Sequence, residues 1–185
     1  MRRTLTSWVI AVMCAQWGDS GKAKVLDYLL DYADIGTRGQ GGANAGHTVM
    51  IRGRPFVSHQ LPLATFRDAE GKVGVLGRGV AFDPNEGRTE LELLDSEGMP
   101  YNHLKIAWNA HLVLPQHIVM DRLGDSSDGE IKIGTTGRGI GPVYTDFTAR
   151  IGLVVSDMLD VDRFHEKLQE NFKNYLDYYW PLVAD

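Results

Sequence analysis

The chain has 185 residues, 43% hydrophobic and 23% charged, the proportions of a globular protein long enough to bury a core. Its net charge of −5 leaves no basic excess to neutralise a nucleic-acid backbone, which excludes broad nucleic-acid binding. Cys14 is the single cysteine, so an internal disulfide and any multi-cysteine metal site are excluded, and a reducing, cytoplasmic setting is expected.

Arg2 and Arg3 before an apolar run loosely mimic a secretory signal, but the run from Trp8 to Ala15 is short for a signal core. No run approaches the roughly 20 apolar residues of a membrane span. Trp8 to Cys14 instead predicts a buried strand, continuous, apolar and partly β-branched. Gln16-Trp17-Gly18-Asp19-Ser20-Gly21-Lys22-Ala23-Lys24 follows it and opens a helical run, Val25 to Ala33, with Val25, Leu29 and Ala33 on one stripe. Strand, glycine turn and helix together form a phosphate cradle. Glycines aim backbone N–H groups inward, the helix start adds partial positive charge, and Lys22 and Lys24 add full charges. Asp19 beside a phosphate is repulsive unless a metal or a proton transfer intervenes, which makes it a magnesium ligand, a general base, or both. The spacing departs from the usual Gly-x-x-x-x-Gly-Lys-Ser/Thr loop, because Ala23 stands where a hydroxyl would hold magnesium.

A second glycine loop, Arg38 to Thr48, carries four glycines in eight residues and is predicted to be neither helix nor strand. Within it Asn44, His47 and Thr48 offer donors and acceptors, and an imidazole there can stabilise a transferring phosphoryl group. Val49 to Ser58 predicts a hairpin, and Val73 to Leu76 a short buried strand. Asp83-Pro84 caps a helix running to about Glu97, with Gly98 at its end. Leu104 to Trp108 predicts a strand, Pro115 to Leu123 a short helix, and Gly124 to Gly129 a polar loop. A third glycine loop, Gly134 to Pro142, joins Thr135, Thr136 and Arg138 in a set suited to a phosphate monoester. Asp162 to Trp180 predicts the most amphipathic helix, with Phe164, Leu168, Phe172, Tyr175 and Tyr179 on one stripe.

Three glycine loops with these polar residues, in this order, resemble adenylosuccinate synthetase. The carriers are Gln16 to Asp19 with Gly21, Lys22 and Lys24, then Gln40 to Thr48, then Gly134 to Pro142. The resemblance covers nearly all of this chain but only the N-terminal portion of the family. It implies an α/β fold, a P-loop-NTPase-like, mainly parallel sheet flanked by helices and incomplete at the C-terminus. Residues 1–185 would then be the N-terminal part of a single nucleotide-binding catalytic domain. The activity implied is ligation of IMP and L-aspartate, driven by GTP hydrolysis with Mg2+, through a 6-phosphoryl intermediate.

In that scheme Asp19 matches the base that takes the proton from ring nitrogen 1 of IMP, and His47 matches the donor to the departing GDP. Gly18, Asp19, Ser20, Gly21, Lys22, Ala23, Lys24, Gly46, His47 and Thr48 match the segments that hold GTP. Asp19, Lys22, Asn44, Ala45, Gly46, His47 and Thr136 match the IMP side, and Asp19 with the Gly46 carbonyl matches the magnesium ligands. Arg150 matches an arginine that reaches the neighbouring subunit's IMP phosphate, which implies a homodimer. The family's first loop normally reads Gly-Asp-Glu-Gly-Lys-Gly-Lys, so Ser20 and Ala23 are departures. Two other readings remain: a viral-type relative acting on dGMP, and a nucleotide-binding module without chemistry.

Overall fold

The structure is a computed structural model that describes residues 8–15, 21–51, 53–67, 71–126, 134–179 and 181. Helix α1 spans Lys22–Leu29 and continues as a short 3-10 turn, Leu30–Tyr32. Strand β1, Ile35–Gly41, pairs in parallel with β4, Val73–Phe82. On the other side β4 pairs in parallel with β5, Leu104–Ile106, and its last residues pair with β6, His111–Leu112. Strands β2, His47–Ile51, and β3, Arg54–Ser58, form a separate antiparallel hairpin in which His47 faces Ser58. The helices are α2, Pro84–Ser96, α3, Pro115–Ser126, α4, Ile140–Ala149, and α5, Val161–Asn174, which runs on into a π turn, Tyr175–Tyr179. The result is a mainly parallel sheet flanked by helices, the α/β class expected. No helix among the described residues is long and apolar enough to cross a membrane.

Strand β4 is the spine because its side chains divide between two cores, as strand periodicity requires. Leu76, Val80 and Phe82 enter the main core with Leu61, Leu63, Leu94, Leu112 and Leu153. Ala81 turns the other way, toward Val113 and Val143, with Ile118 and Ile140 against them. Helix α2 starts as its sequence dictates: Asp83 accepts from the N–H groups of Asn85 and Glu86, Pro84 stands in the first turn, and Gly98 ends the helix at φ +63°.

Several expectations fail. Trp8 to Cys14 forms no strand, and Trp8, Val9 and Met13 are largely exposed. A two-faced apolar run demands burial, but its pairing partners lie elsewhere in the chain and are not specified by the run itself. The second glycine loop is partly regular, since Ile35 to Gly41 is strand β1. The close approach to β4 is met by glycines on both sides of the seam: a Cβ on Gly79 of β4 would sit 2.6 Å from the Gly39 carbonyl oxygen, and one on Gly42 would sit 2.8 Å from the Ala81 carbonyl oxygen. Strand β4 runs six residues past Leu76. Helix α4 begins inside the stretch taken for a third loop; Pro142 fits there because first-turn N–H groups have no helical partner. Helix α3 extends through Gly124 to Ser126, and the remainder of the loop expected at Gly124 to Gly129 lies outside the described residues. Within the run from Val25 to Ala33 the buried residue is Leu30, in the 3-10 turn, while Val25 on α1 is half-exposed. On α5, Phe164 and Leu168 pack against the core and Tyr175 is buried, but Phe172 is half-exposed; the Tyr179 side chain lies outside the description.

Candidate functional site

The carboxyl ends of β1, β4 and β6 lie together through the β4 pairings, and ligands of open parallel sheets bind beyond such ends. The turn Gly42 to Gly46 leaves β1 there and returns as β2. Arg38 anchors it from beneath. Its guanidinium donates to the carbonyls of Gly42 and His59, both at 2.5 Å. Burial lowers the Arg38 pKa, and the nearby Glu90 carboxylate opposes that shift by favouring the charged form.

The His59 end of this anchor is itself fixed. Glu90, on α2 and 3% exposed, accepts from the backbone N–H groups of His59, Gln60 and Leu61 and from the Ser58 hydroxyl. Gln60 holds the next layer, donating to the Asp83 carbonyl at 3.0 Å and accepting from the Asp83 N–H at 2.7 Å. With three backbone donors, and a Ser58 hydroxyl shared with the Leu61 carbonyl at 3.0 Å, the buried carboxylate is satisfied without an ion-pair partner in contact among the described residues. The chain of contacts therefore runs from α2 through Ser58–Leu61 and Arg38 to the second glycine loop.

Gly42 is where the second loop meets the third. A Cβ there would lie 2.4 Å from Ile140 Cδ1 and 2.8 Å from the Ala81 carbonyl oxygen. One residue earlier, the Gly41 N–H donates to the Tyr144 hydroxyl at 2.9 Å, and that hydroxyl donates to the Gly79 carbonyl at 2.8 Å. The third loop is fastened to α3 by Asp121, which accepts from the Gly139 N–H at 2.8 Å. Gly139 has φ +75°, and a Cβ there would strike the His117 backbone at 2.9 Å. Helix α4 is tied down by Asp146, which accepts from His117 Nε2 at 3.0 Å, Asn171 Nδ2 at 2.7 Å and the Tyr175 hydroxyl at 2.9 Å. His117 Nδ1 accepts from the Leu114 N–H, so its proton sits on Nε2 and points at Asp146.

The predicted site residues fall as follows. Gly18, Asp19 and Ser20 lie outside the described residues. Gly21, at φ +74°, precedes α1, whose first turn holds Lys22, Ala23 and Lys24; Ala23 packs on the main core and Lys24 is exposed. Helix α1 packs beside β2, which begins with His47 and Thr48, so the lysine-bearing turn and the imidazole belong to neighbouring elements. Asn44 accepts from the Gly42 N–H at 3.3 Å, and the half-buried Ala45 leads to Gly46, where a Cβ would meet Val57 at 3.0 Å and His59 at 3.1 Å. Thr136 is exposed on the loop before α4. Arg150 is exposed at the far end of α4, at φ 62°, the only non-glycine residue with positive φ among those described. Ten residues of helix, about 15 Å, separate Thr136 from Arg150, so the structure does not bring those two together.

Among the described residues no three or more His, Cys, Asp or Glu cluster to hold a metal, and Asp19 is not among them. The Gly46 carbonyl is a hard oxygen donor, the type magnesium takes together with a carboxylate. Sequence reasoning did not find Glu90, Asp121 or Tyr144. Each works through backbone groups far along the chain, and no local pattern marks it.

A sequence profile of the adenylosuccinate synthetase family matches residues 11–182. The adenylosuccinate synthetase of Halothermothrix orenii is 46% identical over 158 residues, 85% of this chain and 36% of that protein. That of Clostridioides difficile is 41% identical over 160 residues, 86% of this chain and 37% of the relative. The chain thus spans somewhat over a third of the length of these relatives. Among solved structures, the fully ligated adenylosuccinate synthetase of Plasmodium falciparum superposes with a TM-score of 0.78 at 32% identity, covering 89% of this chain and 38% of that one. Cyanophage S-2L succinoaminodeoxyadenylate synthetase, solved with dGMP and dATP, shares the fold at a TM-score of 0.56 and 23% identity, over 78% of this chain and 39% of that one. With a profile match over almost its whole length, and relatives at 41% and 46% identity over some 85% of it, the chain belongs to the adenylosuccinate synthetase family.

Proposed function

We propose that residues 1–185 are the N-terminal part of a single nucleotide-binding catalytic domain that joins IMP to L-aspartate, driven by GTP. The observation that carries this reading is the second glycine loop, which lies against α4 through Gly41 and Gly42 while its β2 end lies beside α1. GTP phosphates would sit over Gly21 to Lys24 and Gly46 to Thr48, with IMP between Asn44 and Thr136. Asp19 takes the N1 proton of IMP, and the 6-oxygen then attacks the γ-phosphorus as its bond to GDP breaks. His47 donates to the departing GDP. The aspartate amine next attacks C6 and releases phosphate. Phosphoryl transfer of this kind needs positioning and charge neutralisation above all, which Lys22 and His47 supply. Mg2+, held by Asp19 and the Gly46 carbonyl, would neutralise phosphate charge. Arg150, exposed and about a helix length from Thr136, suits a reach toward a neighbouring subunit in a homodimer.

Residues 1–185 by themselves are expected to bind nucleotides weakly and turn over little, since Ser20 and Ala23 change the first loop and the relatives are more than twice as long. Calorimetric titration with GTP and with IMP tests this. Measurable binding of both, with GTP binding lost in Lys22→Ala and IMP outcompeting dGMP, supports the reading. No binding of either nucleotide refutes it, and turnover at ordinary enzyme rates refutes the low-activity part.

A further inference from the structure

Resting on that reading, the geometry points to Tyr144 as a positioning residue that couples the two nucleotide sites. The Tyr144 hydroxyl stands between a backbone donor of β1 and a backbone acceptor of β4. It accepts from the Gly41 N–H at 2.9 Å and donates to the Gly79 carbonyl at 2.8 Å. It thus bridges two parallel strands with a side-chain oxygen near the end of their pairing, where Gln40 faces Gly79 and Gly41 faces Val80. The side chain comes from α4, whose first turn follows the third loop directly. Both hydrogen-bonding roles of the hydroxyl are in use, so it cannot turn to a new partner without breaking a bond to one strand.

The consequence is mechanical. Gly42 is wedged between Ile140 and the Ala81 carbonyl, with no room for even a methyl group. A shift of α4 along its axis therefore moves Tyr144 and Ile140 together. The first pulls on Gly41 and the second pushes on Gly42. These residues lead into the turn that carries Asn44 and Gly46, and from there into His47 and Thr48 on β2. Closure of the third loop on a purine monophosphate is thus transmitted to the loop that faces the nucleoside triphosphate. Elsewhere along α4, Asp146 is held by His117 on α3, Asn171 on α5 and Tyr175 in the turn after it, and Val143 and Phe147 pack on β4 and β6; among the hydrogen bonds of the described residues, that of Tyr144 is the one that joins α4 to β1.

The test is a linkage measurement on the full chain with Tyr144→Phe, which keeps the ring and removes one oxygen. IMP affinity is measured with and without saturating Mg-GTP in the wild type and the variant. Wild type is expected to bind IMP at least fivefold more tightly when GTP is present. In the variant that ratio should fall to about one, while IMP alone loses no more than about threefold. Amide exchange at Gly41 should also quicken in the variant. A merely structural role would weaken both nucleotides in parallel and leave the ratio unchanged, and that result overturns the inference. Binding of both nucleotides by wild type without coupling also overturns it but leaves the proposed function standing. Binding of neither overturns both.

Discussion

Glu90 offers the sharpest test of how the site is held. Its carboxylate is buried on α2 and meets four donors: Oε1 takes the N–H groups of His59 and Gln60, and Oε2 takes the Leu61 N–H at 2.8 Å and the Ser58 hydroxyl at 3.2 Å. Glu90→Ala strands three backbone N–H groups. At about 1–3 kcal/mol each, with water entering the vacated space to rehydrate some, the loss comes to about 3–5 kcal/mol. Glu90→Gln is milder. Its amide NH2 fits best at the Oε2 position, because the Ser58 hydroxyl can turn to accept from it, which leaves only the Leu61 N–H stranded. That costs about 1–3 kcal/mol. Total domain stability is about 5–15 kcal/mol, so the alanine variant should be close to unfolding at room temperature. Urea titration followed by circular dichroism reads both losses as midpoint shifts at constant slope. The reasoning fails if both variants stay within about 1 kcal/mol of wild type, or if glutamine costs more than alanine.

Acid stability should depend on Asp146. Burial pushes its pKa up, but hydrogen bonds from His117, Asn171 and Tyr175 outweigh burial and hold it below the usual carboxylate value. A depressed folded-state pKa gives stability that is fully present above the unfolded value of about 4 and lost as pH falls through the folded one. Asp146→Asn should therefore be less stable at pH 7 yet decline less steeply below pH 4, the rest of the slope coming partly from Asp157, held low chiefly by Lys167 against the upward push of burial. Urea midpoints at pH 7, 4 and 3 check this, and parallel curves for variant and wild type would contradict it. Arg150→Gly relieves a left-handed backbone of about 1 kcal/mol, so the melting temperature should rise by about 2–4 °C; a fall would mean that the Arg150 side chain stabilises the fold.

What could be read in the sequence was whatever is encoded locally. The cap of α2 was legible because Asp83, Pro84 and Gly98 each act within a few residues of themselves. The hairpin of β2 and β3 was legible for the same reason. Strand β1 was hidden because its glycines look like a loop until β4 brings Gly77 and Gly79 against them. Trp8 to Cys14 misled in the opposite sense: an apolar run states a need for burial without stating what meets it. At the candidate site the loops themselves were visible as glycine-rich polar stretches. Their fastenings were not, because Glu90 lies 31 residues from His59 and Tyr144 lies 103 residues from Gly41.

The seam between β1 and β4 has a consequence for how this protein can vary. At Gly39 and Gly79 the two main chains are spaced by the absence of atoms, with 2.6 Å between one carbonyl oxygen and the place a methyl would occupy on the other strand. No side chain there touches anything, so a survey of contacts would rank both positions as silent. Saturation mutagenesis should find the reverse at Gly79: a residue that does nothing itself, yet tolerates no replacement.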